Sequence, residues 1–125
     1  MTISITAIKY HQQRRILDIT FADGNEAKLS AEYLRVYSPS AEVTGHSPDQ
    51  AVLVTNKKTV GIANIEKTGN YAIKIHFDDG HNTGIYSWPY LHELMTTQAD
   101  KWQDYLARLK TAKGHRDAII PIKIT

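Results

Sequence analysis

The chain has 125 residues, 42% of them hydrophobic and 22% charged, with no cysteine and a net charge of +2 at neutral pH. This suits one globular domain with a single core. It excludes disulfides, thiolate catalysis and Cys-ligated zinc or iron–sulfur sites, and no run reaches the ~18–20 apolar residues of a membrane-spanning helix. The opening Met1-Thr2-Ile3-Ser4-Ile5 has neither the basic nor the apolar region of a secretion signal, so a cytoplasmic protein is expected. Charge is slightly uneven: residues 1–96 hold nine Lys/Arg against ten Asp/Glu, and residues 97–125 hold six against three. That excess suits a solvated helix face and does not by itself call for nucleic acid.

In chain order, Ile3, Ile5 and Ala7 alternate with polar residues, and Leu17, Ile19 and Phe21 alternate with Ile16, Asp18 and Thr20, predicting two strands. Ala22-Asp23-Gly24-Asn25 is a turn, and Glu26 to Leu29 returns as a third strand. Ser30 can cap a helix over 31–36, with Tyr33, Leu34 and Tyr37 on one face. Pro39 stops it, because proline lacks the N–H and holds Ser38 extended. Residues 38 to about 49, with two prolines and Gly45, read as a structured loop or long connection. A strand follows over 59–66, then a turn at Thr68-Gly69-Asn70 and a strand with Tyr71, Ile73, Ile75 and Phe77 on one face. Residues 78–82 are a hairpin turn before a strand over 83–86. Ser87 caps a helix that tolerates Pro89 in its first turn and turns Tyr90, Leu91, Leu94 and Met95 inward. A second helix over 98–112 carries Trp102, Tyr105, Leu106 and Leu109 at helical spacing and ends at Gly114. Ala118 to Ile124 is β-prone but broken by Pro121, an edge strand or a tail. The expected class is α+β, a mostly antiparallel sheet with two or three helices packed on it.

No catalytic constellation stands out. His76-Phe77-Asp78 has the His-x-Asp spacing of a non-haem iron triad, with His115 or His46 as a distant third ligand. The favoured reading of the same residues is the polar outer face of a strand, opposite Tyr71, Ile73 and Ile75, running into a turn. His92-Glu93 begins like a zinc-protease helix, but Thr96 stands where the second His belongs. Ser38, Ser40 and Ser87 lack a nucleophile-elbow setting, and no phosphate-cradling glycine loop occurs. Arg14-Arg15 and Lys57-Lys58 are expected to be solvated charges flanking turns, without the interleaved aromatics of a nucleic-acid groove.

Two blocks carry a resemblance. The first is Leu34-Arg35, then Ser38-Pro39-Ser40-Ala41-Glu42-Val43 and Gly45-His46. The second is Gly69-Asn70-Tyr71-Ala72-Ile73, Phe77-Asp78-Asp79-Gly80-His81, Thr83-Gly84-Ile85-Tyr86-Ser87-Trp88 and Tyr90-Leu91. Together they resemble the gamma-butyrobetaine hydroxylase-like N-terminal domain family over residues from about 4 to 95. The resemblance implies a domain over 1–96, with 97–125 a helix and tail packed on it or extending it. Members of that family occur as small bacterial proteins of unknown function, as N-terminal domains of carnitine-pathway hydroxylases, or attached to ATPases of iron–sulfur cluster assembly.

In the hydroxylases the domain holds a structural zinc through a Cys-Pro-Cys-x-x-Cys run and a later His. The cysteines fall on Ser38, Ser40 and Val43, which cannot supply thiolates, while the His corresponds to His81, so the resemblance implies that this zinc site is absent. The hydroxylases' catalytic domain is separate, so hydroxylase activity is not expected. His81 is expected to pin its hairpin to the Ser38 loop, through Ser38 or Glu42. The leading expectation is a non-enzymatic binding or adaptor module without cofactor. Its surface would include Arg35, Tyr37, Ser38, Ser40, Glu42, His46, His81, Tyr86 and Trp88, facing an unidentified protein partner, neither nucleic acid nor membrane, with iron–sulfur protein maturation as the setting the resemblance implies. The alternative is a metal-binding domain using Glu42, His46, Asp79 and His81. A third, an enzyme, has no residues assigned to it.

Overall fold

The computed structural model describes residues 3–44, 53–114 and 116, without the side chains of Glu42 and Thr44. Two antiparallel meanders form the frame: β1 (Ile5–His11), β2 (Ile16–Phe21) and β3 (Glu26–Ser30), then β4 (Ile62–Thr68), β5 (Ala72–Phe77) and β6 (Ile85–Ser87). The α+β class is as expected, but the strands divide into two three-stranded sheets rather than one. Residues 31–61 intervene between β3 and β4, so each meander closes through its own local hairpins.

Alternation decides which face is buried. Leu17, Ile19 and Phe21 of β2 point inward, and Leu17 and Ile19 pair across the sheet with Leu29 and Ala27. In the second sheet Ile73, Ile75 and Phe77 do the same. The two apolar faces share one core with Tyr33, Leu34, Leu91 and Leu94. Tyr71, expected on that face, is 61% exposed. It lies in the turn before β5, and its ring lies against Gly69, where φ is +56° and a side chain would collide with it. The strand expected at 59–66 runs instead from Ile62 to Thr68, and that expected at 83–86 from Ile85 to Ser87.

The helices begin where their caps place them. In α1 (Ala31–Val36) the Ser30 hydroxyl accepts the Tyr33 N–H at 3.0 Å, and in α3 (Trp88–Thr96) the Ser87 hydroxyl accepts the Tyr90 N–H at 3.2 Å. Within the connection expected to be a loop, residues 41–44 form one helical turn, α2 (Ala41–Thr44). It starts at a bond from the Val43 N–H to the Ser40 carbonyl. The last helix, α4 (Gln98–Ala112), ends in a left-handed residue, which is Lys113 (φ 56°) and not the expected Gly114. Gly114 instead allows close approach, since a Cβ there would lie 3.1 Å from both Leu109 and Thr55. Among the described residues no helix is long and apolar enough to cross a membrane. The segment 118–124 lies outside them.

A smaller core of Val36, Val43, Val54, Tyr105 and Leu109 fixes α4 to the end of α1. Beside it, Arg116 grips both oxygens of the buried Glu32 carboxylate at 2.8 Å, with its guanidinium 5.1 Å from the centre of the Trp102 ring. Tyr37 is the other link. Its hydroxyl donates to the Lys101 carbonyl at 2.7 Å and accepts from Arg108 at 3.1 Å, while its carbonyl accepts the Tyr90 hydroxyl at 2.6 Å. The Tyr105 hydroxyl is buried with no hydrogen-bond partner among the described residues, and burial pushes its pKa up to about 12. An unsatisfied buried hydroxyl costs free energy that phenylalanine avoids. Tyr105→Phe is therefore expected to leave stability unchanged or raise it by about 1 kcal/mol, read from chemical denaturation.

Candidate functional site

The two signature blocks meet in space. Ser38 follows the end of α1, where the chain leaves the helix and Pro39 prevents its continuation. His81 closes the β5–β6 turn, in which the Phe77 N–H donates to the His81 carbonyl at 2.9 Å and Gly80 has φ +93°. Across the gap Ser38 Oγ lies 2.8 Å from His81 Nε2, the pairing expected for His81. Ser38 Oγ also accepts the Ser40 N–H at 3.3 Å, leaving its own hydrogen free to go to Nε2. Ser40 and Thr83 share a further hydroxyl–hydroxyl bond. Gly84 makes this approach possible, because a Cβ there would overlap Ser38 Oγ and press on Tyr86.

A charged cluster supports the same turn. Asp79 Oδ2 accepts from Arg35 Nε at 2.8 Å and from Lys57 Nζ at 2.6 Å, and Oδ1 accepts the His81 N–H at 3.0 Å. Burial pushes the Asp79 carboxyl up, but the bonds from Lys57, the His81 N–H and Arg35 outweigh it and hold its pKa at about 2. Arg35 Nη1 is buried without a hydrogen-bond partner among the described residues.

Because the folded pKa of Asp79 is depressed, its contribution to stability is full above the ordinary carboxylate value. It disappears as pH falls from about 4 through about 2. Acid unfolding followed by circular dichroism is expected to show a loss of about 2 kcal/mol over that window that Asp79→Asn lacks.

Several expectations are corrected by burial. Ser38 and Tyr86 are fully buried, and Ser40, His81 and Trp88 nearly so. They hold the loops together and do not form an open face. The Tyr86 hydroxyl donates to the Leu34 carbonyl, and burial raises its pKa well above the usual tyrosine range. Trp88 Nε1 donates to the Asn70 carbonyl at 2.8 Å. Arg35 and Tyr37 are half-buried. Lys57, expected to be a solvated charge, is an ion-pair partner of Asp79. His46, His115 and the side chain of Glu42 lie outside the description.

Sequence reasoning did not single out Thr83 or Gly84, although a glycine beside a hydroxyl residue after a hairpin turn is a usable signal. His76 pairs with Glu66 at 3.4 Å, while the Asp78 carboxylate lies beside Gly61. Among the described residues no group of three His, Cys, Asp or Glu side chains is gathered to hold a metal.

The geometry defines a class: an α+β domain in which a proline loop and a hairpin turn are joined by buried hydroxyl and imidazole groups and braced by the Asp79 ion pairs. Residues 8–92 match the family described as gamma-butyrobetaine hydroxylase-like, N-terminal, and the chain belongs to that family. Two solution structures determined by NMR are similar to it. One shares 49% identity with a TM-score of 0.81, over 99% of this chain and 92% of the other. The second shares 39% identity with a TM-score of 0.80, over 99% of this chain and all of the other (100%). A crystal structure from Acidithiobacillus ferrooxidans, of a protein with unknown function in the DUF971 family, shares 35% identity with a TM-score of 0.61. That match spans 73% of this chain and 91% of the other. No protein with a curated description matches.

Proposed function

We propose that this domain is a non-enzymatic binding module for a protein partner, with iron–sulfur protein maturation as its setting. One observation carries the first part of the reading. The polar groups that a catalytic step or a metal would need are already committed to holding the two signature loops together. The Ser38–His81 pair has the spacing of a nucleophile and its base, but Ser38 has 0% exposure and no substrate can reach its Oγ. A metal at Asp79 and His81 would have to displace Arg35, Lys57 and Ser38 first. Val43, at the third thiolate position of the zinc-binding relatives, is packed in the smaller core. The iron–sulfur setting rests on the attachment of related domains to ATPases of cluster assembly, which is an association of domains and not a property of this site.

Elemental analysis of the purified protein, followed by zinc and ferrous-ion titration, tests the choice between the readings. Metal-free protein whose melting temperature does not respond to either ion fits the binding module. Stoichiometric metal that is lost in the His46→Ala/His81→Ala double variant would put the metal-binding reading in its place. A pull-down returning no partner above a control domain would remove the partner.

A further inference from the structure

β1 and β4 are outer strands of the two sheets, and their free edges border one groove. In the first sheet the Phe21 N–H turns to the Asn25 carbonyl and the Ala22 N–H to the Ser4 carbonyl, so the odd residues of β2 bond β3 and the even ones β1. Ile5 and Ile8 stand opposite Phe21 and Ile19, which leaves their own backbone groups on the outer edge of β1. In the second sheet the Ile75 N–H and the Tyr71 carbonyl turn to Gly84 and Trp88, so the even residues of β5 bond β4. Ile65 and Lys67 stand opposite Ile75 and Ile73, and their backbone groups lie on the outer edge of β4. On that side none of the four bonds a described residue.

The groove has a volume of about 280 Å³. Residues 5–8 form one wall and Ile65 and Lys67 the other, with Ile73 and Trp88 at its base. Ile5, Ile8 and Ile65 are half-buried, and Ala7 and Lys67 are exposed, so the walls are open to an occupant. At ~3.3 Å per residue, the wall from Ile5 to Ile8 takes about three residues of extended chain. Beyond the groove the two strands converge, where the Tyr10 hydroxyl accepts the Ile62 N–H at 3.0 Å. Lys67 pairs with no carboxylate among the described residues.

We infer that the partner protein supplies one extended segment that inserts as a strand between β1 and β4, with a carboxylate facing Lys67. Two rows of backbone N–H and C=O groups with apolar side chains beneath them match an extended polypeptide, whose main-chain bonds give affinity. A second copy of this chain does not suit the groove: each of its outer strands has one free edge, and both walls must be paired. Nor do the chain's own longer segments outside the described residues. Pro48 and Pro121 interrupt 45–52 and 117–125, and proline lacks the N–H that an inner strand needs. The inference deepens the binding-module reading and rests on it.

The probe is the peptide acetyl-Glu-Val-Thr-Val-Thr-amide, titrated into the full chain and followed by ¹⁵N NMR and amide hydrogen exchange. The expected result is saturable shifts at Ile5, Ile8, Ile65 and Lys67, with exchange of these four amides slowed at least tenfold. Binding is expected to be at least tenfold weaker in Ile5→Pro. That change removes a free-edge N–H at the first residue of β1, where a strand tolerates proline. If that variant does not fold, Lys67→Glu, at an exposed position, is read in its place.

Shifts that do not saturate or that survive the variant, or equal binding of acetyl-Glu-Val-Pro-Val-Pro-amide, overturn the inference. So do four amides already protected in the free protein, which would mean that the chain fills its own groove. Protection that rises with protein concentration alone would put a second copy there and overturn it too. Peptide binding without any captured partner would overturn the module reading alone. A partner captured equally by wild type and the variant would overturn the groove alone.

Discussion

Gly84→Ala is expected to destabilise the protein by about 3 kcal/mol, combining overpacking with the loss of a buried hydrogen bond. For a domain of this size that lowers the melting temperature by roughly 10 °C. The added methyl overlaps Ser38 Oγ and presses on Tyr86. Something must shift, and the bond between Ser38 and the buried His81 imidazole is lost when it does. Removing the hydroxyl should relieve the clash. Ser38→Ala alone is expected to cost about 1–2 kcal/mol for the orphaned imidazole nitrogen. In that background Gly84→Ala should cost at least about 1 kcal/mol less than it does in wild type. Strictly additive effects in the four-variant cycle would show that the collision is absorbed elsewhere.

Arg116→Ala is the second large effect. It leaves Glu32, 5% exposed, as a buried carboxylate without its two guanidinium bonds, and uncovers one face of Trp102. Stranding one member of a buried pair costs ~3–5 kcal/mol when both are enclosed. The Arg116 side chain is 35% exposed, so part of the pair is screened by water and about 2–3 kcal/mol is expected. Replacing both together, Glu32→Leu with Arg116→Leu, should cost much less than Arg116→Ala, because no charge is stranded. Urea denaturation of the three proteins decides this. An equal loss in the double variant would mean that Arg116 acts through its packing on Trp102 rather than its charge.

Much of the fold is readable in the chain because local rules and burial agree. Ser30 and Ser87 announce helix starts, and both hydroxyls accept the N–H three residues on. The 15-residue α4 follows from the spacing of Trp102, Tyr105 and Leu109. The split into two sheets is less legible, since alternation fixes each strand's faces but says nothing about which strand lies beside which.

The site divides along the same line. That His81 should reach the Ser38 loop followed from the family resemblance, and the hydrogen bond is there. That Tyr86, Trp88 and Ser40 would be buried did not follow, because polar and aromatic residues in a loop look the same in sequence whether they face a partner or the chain itself. The Arg35–Asp79–Lys57 cluster joins residues separated by 44 positions at the Arg35–Asp79 bond, and no local pattern encodes such a pairing.

Tyr37 sets a boundary for cutting the chain. The family match ends at residue 92, yet the Tyr37 hydroxyl inside the signature bonds Lys101 and Arg108 beyond it. A fragment trimmed to the matched residues would also lose Tyr105 and Leu109, which cover Val36 and Val43. A piece cut at residue 92 is therefore expected to be less stable than one that runs to Arg116, since α4 and Arg116 both pack on α1.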